Sequence, residues 1–327
     1  MKLALIALAT AFLIGLIIGP FLIMLLRYLK FGQTIRTDGP ARHLKKAGTP
    51  TMGGLIFLIA FTISALIWGG NTQVLIIIVI TTLLFGLIGF VDDGIIILLH
   101  RSLGLTPKQK LILQFLFAFV FLYLACEVLG RGTDLVIPGT GTSWDLGVFY
   151  YIIMAVFMVY MVNAVNLTDG LDGLAGGISF LVLLGYLIIC LIAAKNPPVV
   201  GIDYQSMAVA AAALAGGCLA FLCYNHYPAK IFMGDTGSLA LGGAVMTFAI
   251  LTKTEIVFLL IGLVYLVEAL SVVLQVASFR LTGKRIFKMS PLHHHFEMCG
   301  WSEIKIVTVF WSVAAICVLL GLAVTIL

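Results

Sequence analysis

The sequence contains few charged residues. Asp, Glu, Lys and Arg make up 10% of its 327 residues, and the mean hydropathy is +1.18. A typical soluble domain carries about 25% charged residues, so we expect lipid to surround most of this chain. Its six cysteines form no paired motif, which argues against a disulfide framework or a zinc site. The apolar runs lack the alternation of a transmembrane β-barrel.

Apolar runs of about 20 residues are long enough to cross a bilayer as helices. The first run is followed by Arg27 and Lys30 instead of a small-residue cleavage site, so we interpret it as a helix and not as a signal peptide. We therefore predict an all-α integral membrane protein with about ten transmembrane helices in one polytopic domain, residues 1–327. The predicted spans are 3–26, 53–69, 74–91, 108–129, 147–163, 174–193, 205–222, 238–251, 256–279 and 304–327.

Basic residues predict the orientation, because cytoplasmic loops are enriched in Lys and Arg. If the first helix exits into the cytoplasm, both termini lie outside and most basic residues lie inside. The segment "GRGTDLVIPGTGTSWDLG", residues 130–147, then forms a short outer β-hairpin. The inner basic residues are Arg27, Lys30, Arg36, Arg42, Lys45, Lys46, Arg101, Lys108, Lys110, Lys230, Arg280, Lys284, Arg285, Lys288 and Lys305.

Aspartates gather in the same inner loops, near the ends of the predicted helices. Among the other acids, only Glu268 lies deep inside an apolar run. Acids at mid-bilayer are typical of an ion pathway, whereas acids at one face favour a site shared by the cytosol and a membrane-borne substrate. The five aspartates are Asp92, Asp93, Asp169, Asp172 and Asp235.

The motif "GFVDDGI", residues 89–95, ends an apolar helix with two adjacent carboxylates. Acids at a helix C-terminus oppose the helix dipole, which favours a functional role over a merely solvated helix end. Adjacent positions point about 100° apart on a helix, so Asp92 and Asp93 need not share one task.

The motif "NAVNLTDGLDGLAGG", residues 163–177, is unusually rich in polar groups. Asn163 and Asn166 are three residues apart, as are Asp169 and Asp172, so each pair could share a face on a helical turn. The intervening Gly170 allows close approach to a ligand. The alternative is a polar loop with capping residues, but the density of polar groups exceeds what capping needs.

Two further motifs combine capping residues with charge. In "YNHYPAKIFMGDTGSLALGG", residues 224–243, Asp235 precedes a helix and could cap it or hold a metal beside a phosphate. In "GLTPKQK", residues 104–110, Thr106 is predicted as an N-cap and Pro107 as the first helical residue. Lys108 then lies in the first turn, where a cation interacts unfavourably with the helix dipole. A nearby anion such as phosphate would reverse this penalty. The alternative is that Lys108 anchors the helix at the membrane surface.

The segment "PLHHHFE", residues 291–297, contains three consecutive histidines. No HExxH pattern accompanies them, and adjacent side chains diverge, so zinc chemistry lacks support. Oxygen-rich acidic sites suit Mg²⁺, which usually binds substrate phosphates as well. Phosphoryl transfer depends on positioning and electrostatic stabilisation, so the pattern favours transfer of a phosphoryl-type group onto a lipid carrier.

Together these motifs resemble the phospho-N-acetylmuramoyl-pentapeptide transferase family, a branch of the polyprenyl-phosphate N-acetylhexosamine-1-phosphate transferases. The resemblance covers nearly the whole chain, and "GTPTMGG" (residues 48–54) with "PLHHHFE" points to this branch. It implies Mg²⁺-dependent transfer from UDP-MurNAc-pentapeptide to undecaprenyl phosphate, with release of UMP, in peptidoglycan synthesis. It also implies a ten-helix fold in the bacterial plasma membrane, a cytoplasmic-face active site and a homodimer. The net charge of +5 is explained by inner loops near anionic lipid, so we expect no nucleic-acid partner.

The resemblance also implies roles for individual residues. Asp235 matches the magnesium ligand, and Asp92 the base for the lipid phosphate, supported by Asp93. Asp169 falls near the metal and phosphates, together with Asn163 and Asn166. The uridine pocket is matched by Gly170, Leu171, Asp172, Asn225 and Phe232, of which Phe232 could stack on uracil. Positions near the pyrophosphate, nucleoside or sugar are Lys46 (or Lys45), Lys108, His293 and Gln275, with His294 and His295 shaping the loop.

One position departs from the family pattern. Where the family usually has a lysine three residues after the second aspartate of the pair, this chain has Ile96. One expected phosphate contact is therefore missing, and Arg101 or Lys108 is a candidate to compensate.

Alternatives remain at this point. A cation-coupled transporter would use Glu268 and discontinuous helices, but it leaves the clustered aspartates unexplained. Within the enzyme class, the donor could instead be UDP-GlcNAc for another cell-wall polymer. The chemistry could run directly, with the lipid phosphate attacking the donor, or through a phospho-sugar on an aspartate; we favour the direct route.

Overall fold

The computed structural model describes residues 1–29, 48–99 and 103–326. Within these ranges the chain is mostly helical, and nine helices are long and apolar enough to cross a membrane. Lys46 and Arg101 lie outside the described residues. The helices are α1 Lys2–Tyr28, α2 Gly54–Trp68, α3 Gln73–Leu98, α4 Pro107–Tyr123, α5 Val148–Thr168, α6 Leu174–Ala193, α7 Tyr204–Asn225, α8 Gly234–Leu251, α9 Glu255–Ile261, α10 Leu263–Thr282, α11 Leu292–Met298 and α12 Glu303–Ile326.

Two predicted spans do not form one continuous helix of spanning length. The run 256–279 is divided at Gly262 into α9 and α10, so it is not one continuous helix. The fourth span continues beyond α4 as a π-helix, Leu124–Val128, and so reaches spanning length. The second span forms only the 15-residue α2, which explains why nine rather than ten described helices have spanning length. Apolar composition identified these segments, but it carries no information on where a helix breaks.

The N-terminal motif of α4 folds as predicted. The Thr106 hydroxyl accepts a hydrogen bond from Gln109 N, and the Gln109 side chain accepts one from Thr106 N. Pro107 occupies the first helical position. This reciprocal arrangement satisfies amides that lack partners at a helix start, and it fixes where α4 begins.

Helices α7 and α8 form the centre of the bundle. In each, 89% of the most apolar stretch is buried inside the protein, against 28% for α1. Glycines permit this packing: a Cβ at Gly216 would lie 2.1 Å from Leu8 O of α1, and one at Gly242 would lie 2.5 Å from Val162 Cα of α5. Gly216 and Gly242 thus serve close packing of α7 and α8 on their neighbours.

Two short strands, β1 Asp134–Ile137 and β2 Thr142–Asp145, pair antiparallel between α4 and α5. Arg131, three residues before the start of β1, is buried and donates to the Glu255 carboxylate of α9 and to Ile250 O of α8. The Arg131 guanidinium also lies 4.6 Å from the centre of the Tyr150 ring. These contacts fasten the paired strands to the end of the bundle where α8 finishes.

The opposite end of the bundle holds most of the predicted site residues. There α3 packs directly on the first turn of α8, since a Cβ at Gly89 would lie 2.0 Å from Asp235 O. Gly54 of α2 approaches Gly237 in the same way, at 2.3 Å. Small residues at these contacts allow three helices to meet where the aspartates are.

Candidate active site

Three aspartates converge at this junction. Asp92 and Asp93 come from α3 and Asp235 from α8, and each offers an oxygen within 4.8 Å of the others. Asp92 and Asp93 are buried, and Asp235 is partly exposed. Residues 142 positions apart in the chain are thus brought together by the glycine-mediated packing of α3 on α8.

Both helix boundaries around these acids differ from the sequence prediction. The helix α3 continues to Leu98, so Asp92 and Asp93 lie inside it and the argument from opposition to its dipole was wrong. The helix α8 begins at Gly234, so Asp235 belongs to its first turn and does not precede it. A carboxylate in a first turn interacts favourably with the helix dipole.

Asp93 links α3 to the start of α8. One of its oxygens accepts hydrogen bonds from Thr236 N at 2.9 Å and Thr236 Oγ1 at 2.7 Å, and the other accepts one from Asp235 N at 3.3 Å. Asp92 instead accepts from Leu105 N at 2.8 Å. The two adjacent carboxylates therefore face different partners, as their angular separation on a helix implies.

Among the described residues, Lys110 of α4 forms ion pairs with this cluster. Its Nζ lies 2.5 Å from Asp235 Oδ2 and 3.2 Å from Asp92 Oδ1. Lys108, which the sequence favoured, is exposed in the first turn of the same helix. Sequence reasoning missed Lys110, although Gln114 one turn later, buried on an apolar helix, marks the inward face that both residues share.

Asn163 and Asn166 lie one turn apart on α5 but have different partners. Asn166 donates to Asp235 Oδ1 at 2.8 Å and to Ser238 Oγ at 2.8 Å, so it belongs to the cluster. Asn163 donates to Gln114 Oε1 at 2.8 Å and to Val159 O. The Asn163–Gln114 pair joins α5 to α4 beside the cluster.

The polar motif after Asn166 forms a turn between α5 and α6. Burial raises the pKa of Asp169 well above its ordinary value, and the negative charges of Asp235, Asp93 and Asp172 add to the effect. Asp172 accepts a hydrogen bond from Ala229 N at 2.9 Å. The two aspartates lie in the turn and not on one helical face, because α5 ends at Thr168 and α6 begins at Leu174.

The predicted uridine residues lie around this turn. Asn225 is buried, accepts from Gly173 N at 2.9 Å and donates to Ile231 O at 2.9 Å, so its amide fastens the turn to the segment before α8. Phe232 is half-buried in that segment, and its backbone bonds to Pro50 O and to Gly53 N. Leu171 is buried in the turn.

His293 of α11 reaches the same turn from the other side. It is fully buried, and a Cβ at Gly170 would lie 2.2 Å from its Nε2. Its Nδ1 lies 3.0 Å from Glu268 Oε2 of α10, and its backbone N–H donates to Glu268 Oε1 at 3.1 Å. The buried acid that motivated a transporter alternative thus has a partner within the enzyme-like site.

His294 and His295 contact residues close to them in the chain. His294 Nδ1 lies 2.7 Å from Glu297 Oε2, and His295 Nδ1 accepts from Lys288 N at 3.1 Å. Gln275 of α10 accepts from Ile286 N and Phe287 N and donates to Phe287 O. These contacts hold the segment between α10 and α11 in shape. Ile96 is half-buried on α3, one turn beyond the paired aspartates.

The donor set suits a divalent cation. Carboxylate oxygens are the ligands that Mg²⁺ prefers, and Asp92, Asp93 and Asp235 offer three of them within one coordination-sized space. If the three carboxylates and the Lys110 ammonium are all ionised, the cluster has a net charge of −2. A divalent cation balances this charge.

Comparisons with known proteins agree with the motifs. Residues 75–253 match the model of Glycosyl transferase family 4, and residues 46–58 match a signature of the phospho-N-acetylmuramoyl-pentapeptide-transferases. An enzyme of that name from Desulfitobacterium hafniense is 55% identical over 96% of this chain and 95% of its own length. Those of Moorella thermoacetica (51%, covering 96% of both chains) and Heliobacterium modesticaldum (48%, covering 94% and 93%) are similar. The resemblance is confirmed, and the chain belongs to the phospho-N-acetylmuramoyl-pentapeptide-transferase family.

Proposed function

We propose that the protein transfers phospho-MurNAc-pentapeptide from UDP-MurNAc-pentapeptide to undecaprenyl phosphate. The products are undecaprenyl-pyrophosphoryl-MurNAc-pentapeptide and UMP, and the reaction belongs to peptidoglycan synthesis. The observation that carries this proposal is the convergence of Asp92, Asp93, Asp235 and Lys110 in a chain whose relatives bear the name of this transferase. The carboxylates of this cluster can bind a metal cation, and the Lys110 ammonium can offset negative charge on the phosphates of the two substrates.

The metal of this proposal is Mg²⁺, held by Asp235 with Asp92 and Asp93 beside it. Bound there, Mg²⁺ would neutralise negative charge on the donor pyrophosphate. Asp93 contributes mainly by orientation, because its oxygens accept hydrogen bonds from the backbone of Asp235 and from Thr236. Asn166, which donates to Asp235, holds that carboxylate in place.

In the proposed direct route, an oxygen of the undecaprenyl phosphate attacks the β-phosphorus of the donor. The bond between that phosphorus and the bridging oxygen breaks, and UMP leaves with the electron pair. Asp92 accepts the proton of the lipid phosphate when it carries one; its contacts with Leu105 N and Lys110 both use Oδ1, so Oδ2 is the proposed acceptor. Capture of a covalent phospho-sugar on any aspartate would instead establish the two-step route.

The turn between α5 and α6 is the proposed nucleotide side of the site. Phe232 would stack on uracil, and Gly170, Leu171 and Asp172 would line the pocket. Asn225 acts through the backbone, since it joins Gly173 to Ile231. Asp169 stands at the border between this pocket and the acidic cluster, as the electrostatic influence of Asp235 and Asp93 on its pKa supports.

The sugar and peptide are proposed to lie toward the histidine segment. His293 is the proposed contact on the phosphate side, with His294 and His295 shaping the segment and Gln275 fixing its approach. Lys46, which precedes α2 in the sequence, and Lys108 at the start of α4 are proposed to meet the pyrophosphate. Each assignment rests on the family motif at that position.

The orientation in the membrane follows from the basic residues. We propose that the acidic cluster faces the cytoplasm of the bacterial plasma membrane, with both termini and the β1–β2 pair outside. One polytopic domain and a homodimer complete the proposal. Accessibility of a cysteine placed at Asp145 on β2, probed from each side of sealed vesicles, tests the orientation directly.

One assay tests the function and its runner-up together. The purified protein is given undecaprenyl phosphate and Mg²⁺ with either UDP-MurNAc-pentapeptide or UDP-GlcNAc, and UMP release is measured. We expect release with the muramoyl donor and little with UDP-GlcNAc. The reverse preference would assign the protein to another cell-wall polymer, and donor uptake into vesicles without UMP release would favour transport.

A further inference from the structure

Glu268 is a fully buried carboxylate near the start of α10, in an apolar helix. Ionisable groups inside a membrane protein are costly, and they persist where a specific partner or task maintains them. Its partner is His293, which donates its backbone N–H to Oε1 at 3.1 Å and places Nδ1 3.0 Å from Oε2. Both carboxylate oxygens are thus directed at one residue of the histidine segment.

The opposite ring nitrogen of His293 has a different environment. Nε2 is buried and has no hydrogen-bond partner among residues 1–29, 48–99 and 103–326. It points at Gly170, where even a methyl group would come within 2.2 Å of it. Gly170 lies four residues after Asn166, whose side chain donates to Asp235 Oδ1 at 2.8 Å. The ring therefore connects the buried acid of α10 with the turn beside the acidic cluster.

We infer that Glu268 is a positioning residue that fixes the orientation and tautomer of His293 for the transfer reaction. This inference rests on the proposed function and deepens it by one residue that the family motifs did not single out. Because a carboxylate only accepts, it holds the proton of the neutral His293 ring on Nδ1 and leaves Nε2 as the acceptor nitrogen. That nitrogen then faces the Asp169–Gly170 turn.

Replacement of Glu268 by Gln provides a test with little change in volume. Glutamine has one acceptor oxygen and one NH₂ group, whereas His293 presents two N–H groups to this position. If the amide oxygen keeps the backbone N–H of His293, the NH₂ group faces Nδ1. The ring then accepts at Nδ1 and carries its proton on Nε2, which is the opposite tautomer.

The first measurement is the ¹⁵N NMR spectrum of histidine-labelled protein in lipid, with His293 assigned from its disappearance in His293→Ala. We expect a protonated Nδ1 in the wild-type protein and a shift of the proton toward Nε2 in Glu268→Gln. The matched control is Glu297→Gln, which changes the carboxylate beside His294 and should leave the proton of His293 on Nδ1. An unchanged His293 tautomer in Glu268→Gln overturns the inference.

The second measurement is a double-mutant cycle on UMP release. Loss of an outer partner of a functional histidine typically costs about 10- to 100-fold, and we expect Glu268→Gln to lower kcat by that order with a smaller change in KM for the donor. In the His293→Ala background the same substitution should have no further effect, because Glu268 acts through His293. An equal loss of kcat in both backgrounds contradicts the inference.

The two measurements separate this inference from the proposed function. The NMR experiment requires only folded protein, so it remains decisive even if UDP-MurNAc-pentapeptide is not the donor. Absence of UMP release from the wild-type protein would refute the proposed function alone. Should Glu268→Gln prove poorly folded, Glu268→Asp keeps both acceptor oxygens, and we expect it to retain the wild-type tautomer of His293.

Discussion

The carboxylate of Asp93 accepts two hydrogen bonds from Thr236, one from its backbone N–H at 2.9 Å and one from its hydroxyl at 2.7 Å. A side chain of α3 thereby satisfies an amide at the start of α8, where a helix has no internal acceptors. The next residue before Thr236 is Asp235, so this contact also sets the position of the proposed metal ligand. The second aspartate of the pair organises the site from within the fold.

Thr236→Val should reduce both the stability and the activity of the protein. It removes the hydroxyl that donates to the buried Asp93 carboxylate, and a hydrogen bond to a charged group contributes about 1.5–3 kcal/mol. Thermal unfolding in detergent and the rate of UMP release measure the two effects. Thr236→Ser keeps the hydroxyl and is the matched control; equal stability of the valine and serine variants would contradict this role for the contact.

The sequence predicted the transmembrane segments and the acidic motifs because both are local signals. Apolar runs identify spanning helices by composition alone, and the aspartate motifs are readable as short patterns. The break at Gly262 and the extension of α3 to Leu98 were not predictable in this way. They depend on packing against neighbouring helices, and packing is not encoded in local hydropathy.

Local sequence signals also did not predict which lysine contacts the acidic cluster. Lys108 and Lys110 lie in one short motif, and only the rotation of α4 against α3 and α8 decides which of them faces Asp92 and Asp235. Asn225 is a second example, because its amide bonds to the backbone of the nearby Ile231 and to that of Gly173, which is 52 positions away in the chain. Contacts of this kind appear only once the chain has folded.

Substitution of any one aspartate of the cluster should weaken divalent-cation binding. Mn²⁺ can replace Mg²⁺ as an observable probe, and free Mn²⁺ is quantified by electron paramagnetic resonance. We expect Asp92→Asn, Asp93→Asn and Asp235→Asn each to raise the Kd by about ten-fold or more. Asp145→Asn changes an aspartate on β2, far along the chain from the cluster, and should leave the Kd unchanged; equal affinity in all four variants would disprove the metal site.

Lys110→Met should impair transfer far more than Lys108→Met. Lys110 contacts two carboxylates of the cluster, so its loss leaves buried negative charge without its cation, whereas Lys108 is exposed at the start of α4. The methionine side chain retains the apolar bulk of lysine, so the comparison isolates the charge. Steady-state kcat and KM for the UDP-sugar are the readouts, and a larger effect at Lys108 would restore that residue as the phosphate contact.

Ile96→Lys tests the departure from the family pattern. Ile96 lies three and four residues after Asp93 and Asp92, which places it on the same side of α3 one turn later. If a phosphate contact is missing, a lysine there should lower KM for the donor or raise kcat, and the gain should diminish at high salt as screening increases. Ile96→Met is the uncharged control. Equal kinetics in the lysine and methionine variants would show that the protein lacks no phosphate contact at this position.

Arg131→Met should lower stability strongly while leaving the chemistry of the acidic cluster intact. Arg131 is buried and donates to the carboxylate of Glu255, which also accepts from Tyr150 Oη at 2.5 Å. Removing one partner of a buried ion pair leaves an uncompensated charge and typically costs about 3–5 kcal/mol. Thermal unfolding measures the loss, and kcat determined well below the new transition should stay near the wild-type value, since the pair lies at the opposite end of the bundle. Lys253→Met breaks the less deeply buried contact with Asp134 and should cost less than Arg131→Met, so equal destabilisation by the two substitutions would contradict the role assigned to burial.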